Sequence, residues 1–186
     1  KSLHDKGFPI VFFDRITDEI ETYKVVVDNY KGAYDATQHL IDAGYTKIAH
    51  LASSPHLSIS IERLNGYKAA LTDNGIPVNE SYIKYCSHGG MIYTELEEAV
   101  KALVQLKDRP DAIFSAGDRL TLSCLTALKS IGLTIPDDIA IVGFSNSGLV
   151  DLFTPGLTVI KQPAFEMGQV ATELLIKLIE SKKAVT

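Results

Sequence analysis

The chain has 186 residues, 46% apolar and 22% charged, enough for the core of one globular domain, or of one domain and part of another. A net charge of −5 argues against a basic nucleic-acid-binding face, and no stretch reads as a signal peptide or membrane span. Cys86 and Cys124 stand in no Cys-x-x-Cys or zinc-finger spacing and the five histidines form no H-E-x-x-H cluster. Reduced thiols, a cytoplasmic setting, no metal and no cofactor are therefore expected.

In chain order, Lys1 to Pro9 reads as the tail of a helix leading into a strand, and the chain stops at Thr186 straight after another helix. Both ends read as cut, so a fragment of a longer protein is the expectation. Ile10 to Phe13 is a strand ending at Asp14-Arg15, and Lys24 to Val27 is a second, ending at Asp28-Asn29. Asn29 is expected to cap a helix through about Ala43, with Ala33, Ala36, Leu40 and Ala43 on one stripe and Gly44 at its end. Lys47 to Ala52 is a strand, and Ser58 to Leu71 the helix after it, with Ser58 or Ser60 as cap and Ile61, Leu64, Ala69 and Leu71 apolar.

The strand Tyr82 to Cys86 leads through a polar loop to a capping box, Thr94-Glu95-Leu96-Glu97, which opens a further helix. Asp111 to Ala116 is a strand, followed by a helix with Asp118 as its cap and Leu122, Leu125 and Leu128 inward. Ile139 to Phe144 and Leu157 to Gln162 are the last strands, and Pro163 opens the final helix. Short β-branched runs alternating with helices predict an α/β fold with a parallel sheet covered on both faces.

In such a sheet the strand ends lie on one edge, where ligands bind. Asp14, Asp28, His88, Asp118, Ser145, Asn146 and Gln162 fall there, and Arg63 falls in the first turn of a helix beside it. Arg63 is a fixed cation with a planar fork of donors, suited to hydroxyl pairs or carboxylates, or else a solvated surface arginine. Asp28 and Asp118 also fit plain turn and cap positions, and His88 a plain loop. Gly143-Phe144-Ser145-Asn146-Ser147 approaches the nucleophile elbow of hydrolases but lacks the closing glycine, and no histidine follows His88. A hydrolase using Ser145 is the weakest reading, and no enzyme activity is expected.

The motifs carry more than their spacing. Asp14-Arg15, Val27-Asp28-Asn29, Glu62-Arg63-Leu64-x-Gly66-Tyr67, Arg109-Pro110-Asp111-Ala112-Ile113-Phe114, Ile135-Pro136-Asp137-Asp138-Ile139 and Thr154-Pro155-x-Leu157-Thr158-x-Ile160-x-Gln162-Pro163 resemble, in order, the LacI/GalR transcriptional regulators. The resemblance covers almost the whole chain. It implies a type I periplasmic-binding-protein-like fold, with one complete subdomain and part of the other. Residues 1–14 would end the N-terminal subdomain, 15–158 form the C-terminal effector-binding subdomain, and 159–186 cross back.

It further implies effector contacts at Asp14, Asp28, Arg63, His88, Ser145 and Gln162, and a homodimer contact at Leu122 and Phe153. The implied partners are a carbohydrate or nucleoside effector and operator DNA, the latter through an N-terminal headpiece upstream of Lys1, with no membrane. The alternative is a solute-binding protein of a sugar transporter. Two positions depart from the family pattern: Ser145 where aspartate is frequent, and Gly117-Asp118 where Asn-Asp is frequent. A carboxylate replaced by a hydroxyl implies a changed ligand.

Overall fold

The computed structural model describes residues 2–148, 152 and 154–183. By its contacts the chain divides into two compact units, Lys1–Asp28 with Pro163–Thr186, and Asn29–Gln162. The sequence placed the divisions after residues 14 and 158. The contact units divide instead after Asp28 and Gln162: β2 (Tyr23–Val25) pairs in parallel with β1 (Val11–Phe13), in register Val11 with Tyr23, and the chain up to Gln162 stays with the larger unit. This smaller unit also holds α1 (Ser2–Asp5) and α6 (Ala164–Lys183), which packs on β1 and β2.

The larger unit runs α2 (Asn29–Asp42), β3 (Ile48–Ala52), α3 (Ser58–Asp73), β4 (Ile83–Tyr85), α4 (Tyr93–Val104), β5 (Ala112–Ser115), α5 (Asp118–Ser130), β6 (Ala140–Phe144) and β7 (Thr158–Ile160). Its five strands lie in the order β4-β3-β5-β6-β7, all parallel. The order reverses at β3, so a topological switch point lies between β3 and β5. Outside the carboxyl ends of those two strands an open α/β sheet leaves its crevice.

Side chains alternate between two cores with the period of a strand. Ile48, Ala112, Phe114, Ala140, Val142 and Phe144 face α2 and α3, meeting Ala33, Ala36, Leu40, Tyr67 and Leu71. Ala49, Leu51, Ile113 and Ile141 face α4 and α5, meeting Leu96, Val100, Leu103, Leu120, Cys124 and Leu128. Burial pushes the Cys86 thiol up to about 12, and burial raises that of Cys124 further, so both are inert apolar groups.

The buried face of α3 differs from the expected one. Ser60, Arg63, Gly66, Tyr67, Ala70 and Leu71 point inward, and Ile61 is exposed. The helix is turned so that Tyr67 enters the core, where its hydroxyl donates to Ile48 O at 2.7 Å, and Gly66 faces α2. The expected caps also fail. The helices α3 and α4 start after Leu57 and Ile92, and α5 after Gly117, all without a side-chain cap bond.

His50 of β3 is fully buried between the rings of Tyr67 and Phe114, each centroid at 5.0 Å, and among the described residues neither ring nitrogen has a partner at good hydrogen-bond geometry. Burial first, with the Arg63 charge adding to it and the nearby Phe114 backbone opposing it, lowers its pKa to about 3. The folded pKa lies below the unfolded value of about 6.5. The neutral ring's contribution is thus complete above that value and lost as pH falls towards 3. His50→Leu is expected to keep or raise the melting temperature at pH 7 and to flatten its fall between pH 6.5 and 4, as read by circular dichroism. An apolar side chain leaves no buried nitrogen unpaired.

Candidate functional site

The polar groups of the larger unit gather at the carboxyl edge of its sheet. Arg63, in the second turn of α3, is 4% exposed, so the surface reading of this residue is wrong. Its Nε and Nη2 donate to Asn29 Oδ1 at 3.0 and 2.8 Å, and its Nη1 donates to Ala116 O at 2.8 Å, just past β5. The guanidinium carbon lies 3.8 Å from the centroid of the Phe144 ring, at the end of β6. One side chain thus ties α2, α3, β5 and β6 together at the switch point.

Asn29 is 2% exposed and also donates from Nδ2 to Glu62 Oε2 at 2.9 Å. Read in the sequence as a helix cap, it is a hub of this wall. Its partner lies 34 residues away, and the only sequence signal is an asparagine opening one helix and an arginine early in the next. Gly66 makes the arrangement feasible. A Cβ there would lie 2.2 Å from Tyr30 O, so only glycine lets α2 and α3 approach this closely.

Ser145 follows β6 and is 2% exposed. Its hydroxyl donates to Asp118 Oδ1, at the start of α5, and accepts from Ser147 N at 3.2 Å. Asp118 is exposed and accepts the Ser145 hydroxyl, while the cap position of α5 falls on Gly117. Asn146 clamps the backbone of Gln162, donating from Nδ2 to its O and accepting its N–H at Oδ1, both at 2.8 Å. Gln162 Nε2 is buried and has no hydrogen-bond partner among the described residues.

His88 lies in the loop after β4 with its side chain 55% exposed. Glu95, expected in a capping box, holds this loop from α4, accepting Ser87 N at 2.6 Å and His88 N at 3.2 Å, with His88 Nδ1 at 3.3 Å. Desolvation alone would raise the Glu95 pKa. The His88 and Ser87 amides outweigh it and hold the carboxyl below its ordinary range.

Arg63, Ser145 and Gln162 therefore lie on one edge of the larger unit, with His88 on the loop beyond β4. Asp14 and Asp28 belong to the smaller unit. Asp14 ends β1 with φ at +60°, a conformation aspartate tolerates better than most residues, and its amide donates to Val25 O at 3.1 Å. Leu122 is partly buried against the α4/α5 core. Phe153 lies outside the described residues.

A separate cavity of about 340 Å³ opens at the start of β6 and β7, lined by Leu40, Val142, Pro155 and Leu157 among others. It is apolar and holds none of these polar groups. Among the described residues no cluster of three or more His, Cys, Asp or Glu could hold a metal, and no helix is long and apolar enough to cross a membrane.

A parallel sheet with the strand reversal beside β3 and a polar wall at its carboxyl edge defines a ligand-binding α/β domain. The family of periplasmic binding protein-like domains matches residues 37–186. Catabolite control protein A of Priestia megaterium is 34% identical over 183 residues, covering 98% of this chain and 54% of that protein. The repressor CytR of Escherichia coli is 32% identical over 174 residues, covering 94% of this chain and 50% of that protein.

Among solved structures, a complex of the transcriptional regulator CelR with cellobiose superposes with a TM-score of 0.87 at 31% identity, covering 97% of this chain and 55% of that one. The regulator CcpA of Lactococcus lactis gives 0.86 at 28% identity, covering 97% and 65%. The chain belongs to the periplasmic binding protein-like domains and spans about half the length of the curated relatives it matches.

Proposed function

We propose that this chain is the effector-sensing part of a LacI-type transcriptional regulator, with no catalysis of its own. The observation that carries the reading is the polar wall at the switch point, where Arg63, Asn29, Ala116, Ser145, Asp118 and Gln162 converge on one sheet edge. Relatives named as transcriptional repressors support the regulator reading, and a neighbour named as a cellobiose complex supports a carbohydrate ligand, with a nucleoside as the other ligand class. Arg63, His88, Ser145 and Gln162 are the contacts of the larger unit, and Asp14 and Asp28 those of the smaller one. The full-length protein reads operator DNA through a separate headpiece and works in the cytoplasm.

A homodimer contact at Leu122 and Phe153 rests on the family resemblance. Ligand binding acts as a coupling between two sites rather than as a reaction. The experiment is the affinity of the full-length protein for operator DNA with and without a bound sugar or nucleoside. A ligand-independent affinity refutes the reading.

A further inference from the structure

We infer that Asn74-Gly75, at the carboxyl end of α3, is a site of spontaneous deamidation, and that its conversion opens the clamp holding that end of α3 to α2.

The chain carries two asparagine-glycine pairs, Asn65-Gly66 and Asn74-Gly75. Glycine after asparagine favours the reaction, because it has no side chain to shield its backbone nitrogen and the widest choice of backbone angles. The Gly75 N–H gives its proton to hydroxide, and the nitrogen attacks Asn74 Cγ. The new N–Cγ bond closes a cyclic imide, and the C–N bond of the side-chain amide breaks to release ammonia. Water then opens the imide at either carbonyl. The product is aspartate, or isoaspartate with the backbone rerouted through the side chain. Water and hydroxide are the only co-reactants.

The fold separates the two pairs. Asn65-Gly66 lies in the middle of α3, inside its ladder of backbone bonds. Gly66 is buried with its Cβ position 2.2 Å from Tyr30 O, so its backbone cannot swing towards the Asn65 amide without parting α2 from α3. Asn74 stands at the C-cap of the same helix, and both it and Gly75 are exposed. Gly75 has φ at +69° and nothing within 4 Å of its Cβ position. Its N–H donates to Thr72 O at 3.0 Å, and that of Ile76 to Leu71 O at 2.9 Å. A helix end frays at a small fraction of the free energy that a packed helix interior needs. Once that last turn opens, Gly75 N is free to reach the amide.

The consequence follows from what the amide holds. Asn74 Nδ2 donates to Gln38 Oε1 at 2.7 Å and to Ala70 O at 2.8 Å, and Asn74 Oδ1 accepts Gln38 Nε2 at 3.4 Å. Gln38 Nε2 also donates to Asp42 Oδ1 at 2.7 Å, and Tyr34 OH donates to Asp73 Oδ2 at 3.1 Å. A carboxylate at position 74 has no proton for Gln38 or Ala70. It also adds a negative charge next to Asp73 and across Gln38 from Asp42, at helix ends whose dipoles already disfavour anions.

The test incubates the folded full-length protein at mildly alkaline pH, then digests it with trypsin and reads the peptides by tandem mass spectrometry. Asn65 falls in Leu64–Lys68 and Asn74 in Ala69–Lys84, so the two sites report separately. Aspartate and isoaspartate are expected at Asn74 at least about tenfold faster than at Asn65, the difference between opening a helix end and opening its interior. In guanidinium, where both are open, the two rates should agree within about threefold. Asn74→Asp should lower the melting temperature by about 3–6 °C, the scale of one or two lost hydrogen bonds.

A folded protein in which Asn74 stays intact while it converts in guanidinium, or in which Asn65 keeps pace with it, overturns the assignment of the site. An Asn74→Asp protein that melts within about 1 °C of the parent overturns the clamp.

Discussion

Arg63→Ala is expected to cost about 3 kcal/mol of folding stability and to lower the melting temperature by about 10 °C. The substitution strips Asn29 Oδ1 of two N–H donors and Ala116 O of one, in a wall where Asn29 is 2% and Ala116 5% exposed. Each buried acceptor left unpaired costs about 1–3 kcal/mol, and the lost contact with the Phe144 ring adds about 0.5–2. Arg63→Lys should recover little, since an ammonium point charge cannot span Asn29 and Ala116 as a planar fork does. Thermal and urea unfolding measure both variants. A loss under about 0.5 kcal/mol, the scale of an ordinary surface substitution, would return Arg63 to the solvent.

The second large effect is at Gly66. In an exposed helix interior, replacing glycine by alanine stabilises by about 1 kcal/mol. Here the sign reverses, because the new methyl carbon would lie 2.2 Å from Tyr30 O and 3.0 Å from Ala33 Cβ. The backbone of α2 must retreat, which overpacks the interface at a cost of about 2–3 kcal/mol and pulls Asn29 away from Arg63. Gly168→Ala in α6 is the control, since nothing lies within 4 Å of its Cβ position, and it should stabilise. Unfolding of the two variants in parallel separates helix propensity from helix contact. A Gly66→Ala protein as stable as the control would mean that α2 and α3 do not meet as described.

These two residues show where a sequence can and cannot be read. Elements governed by local periodicity came through well. The run Lys47 to Ala52 is β3 within one residue, and Ser58 opens α3. Arg63 was visible because a cation in an early helical turn after a strand has a fixed position relative to the sheet edge. Its partner Asn29 was not visible, since a helix-opening asparagine looks the same whether it caps its own helix or holds a side chain on another.

The same ambiguity misplaced the capping roles of Thr94, Asp118 and Ser58. Glu95 and Asp118 are spent on the loop after β4 and on Ser145. Tertiary partners outcompete local backbone groups there, and the spacing of residues along the chain does not record that competition. The pairing of β2 with β1, which moves the unit boundary to Asp28, was likewise a question of partner and not of propensity. Asp118 and Ser145 are the instructive pair. Read separately, one is a cap and the other a lost carboxylate; in the fold the two are hydrogen-bonded to each other across α5 and β6.

The central claim is that a small molecule at this edge governs a distant DNA-binding function. It is tested most directly by titrating labelled operator DNA with the full-length protein, with and without a saturating sugar or nucleoside from a binding screen. The account predicts that the ligand shifts operator affinity by about 5–150-fold, and that operator DNA shifts ligand affinity by the same factor. Equal operator affinity in the two titrations, with the ligand shown to be bound, would contradict it.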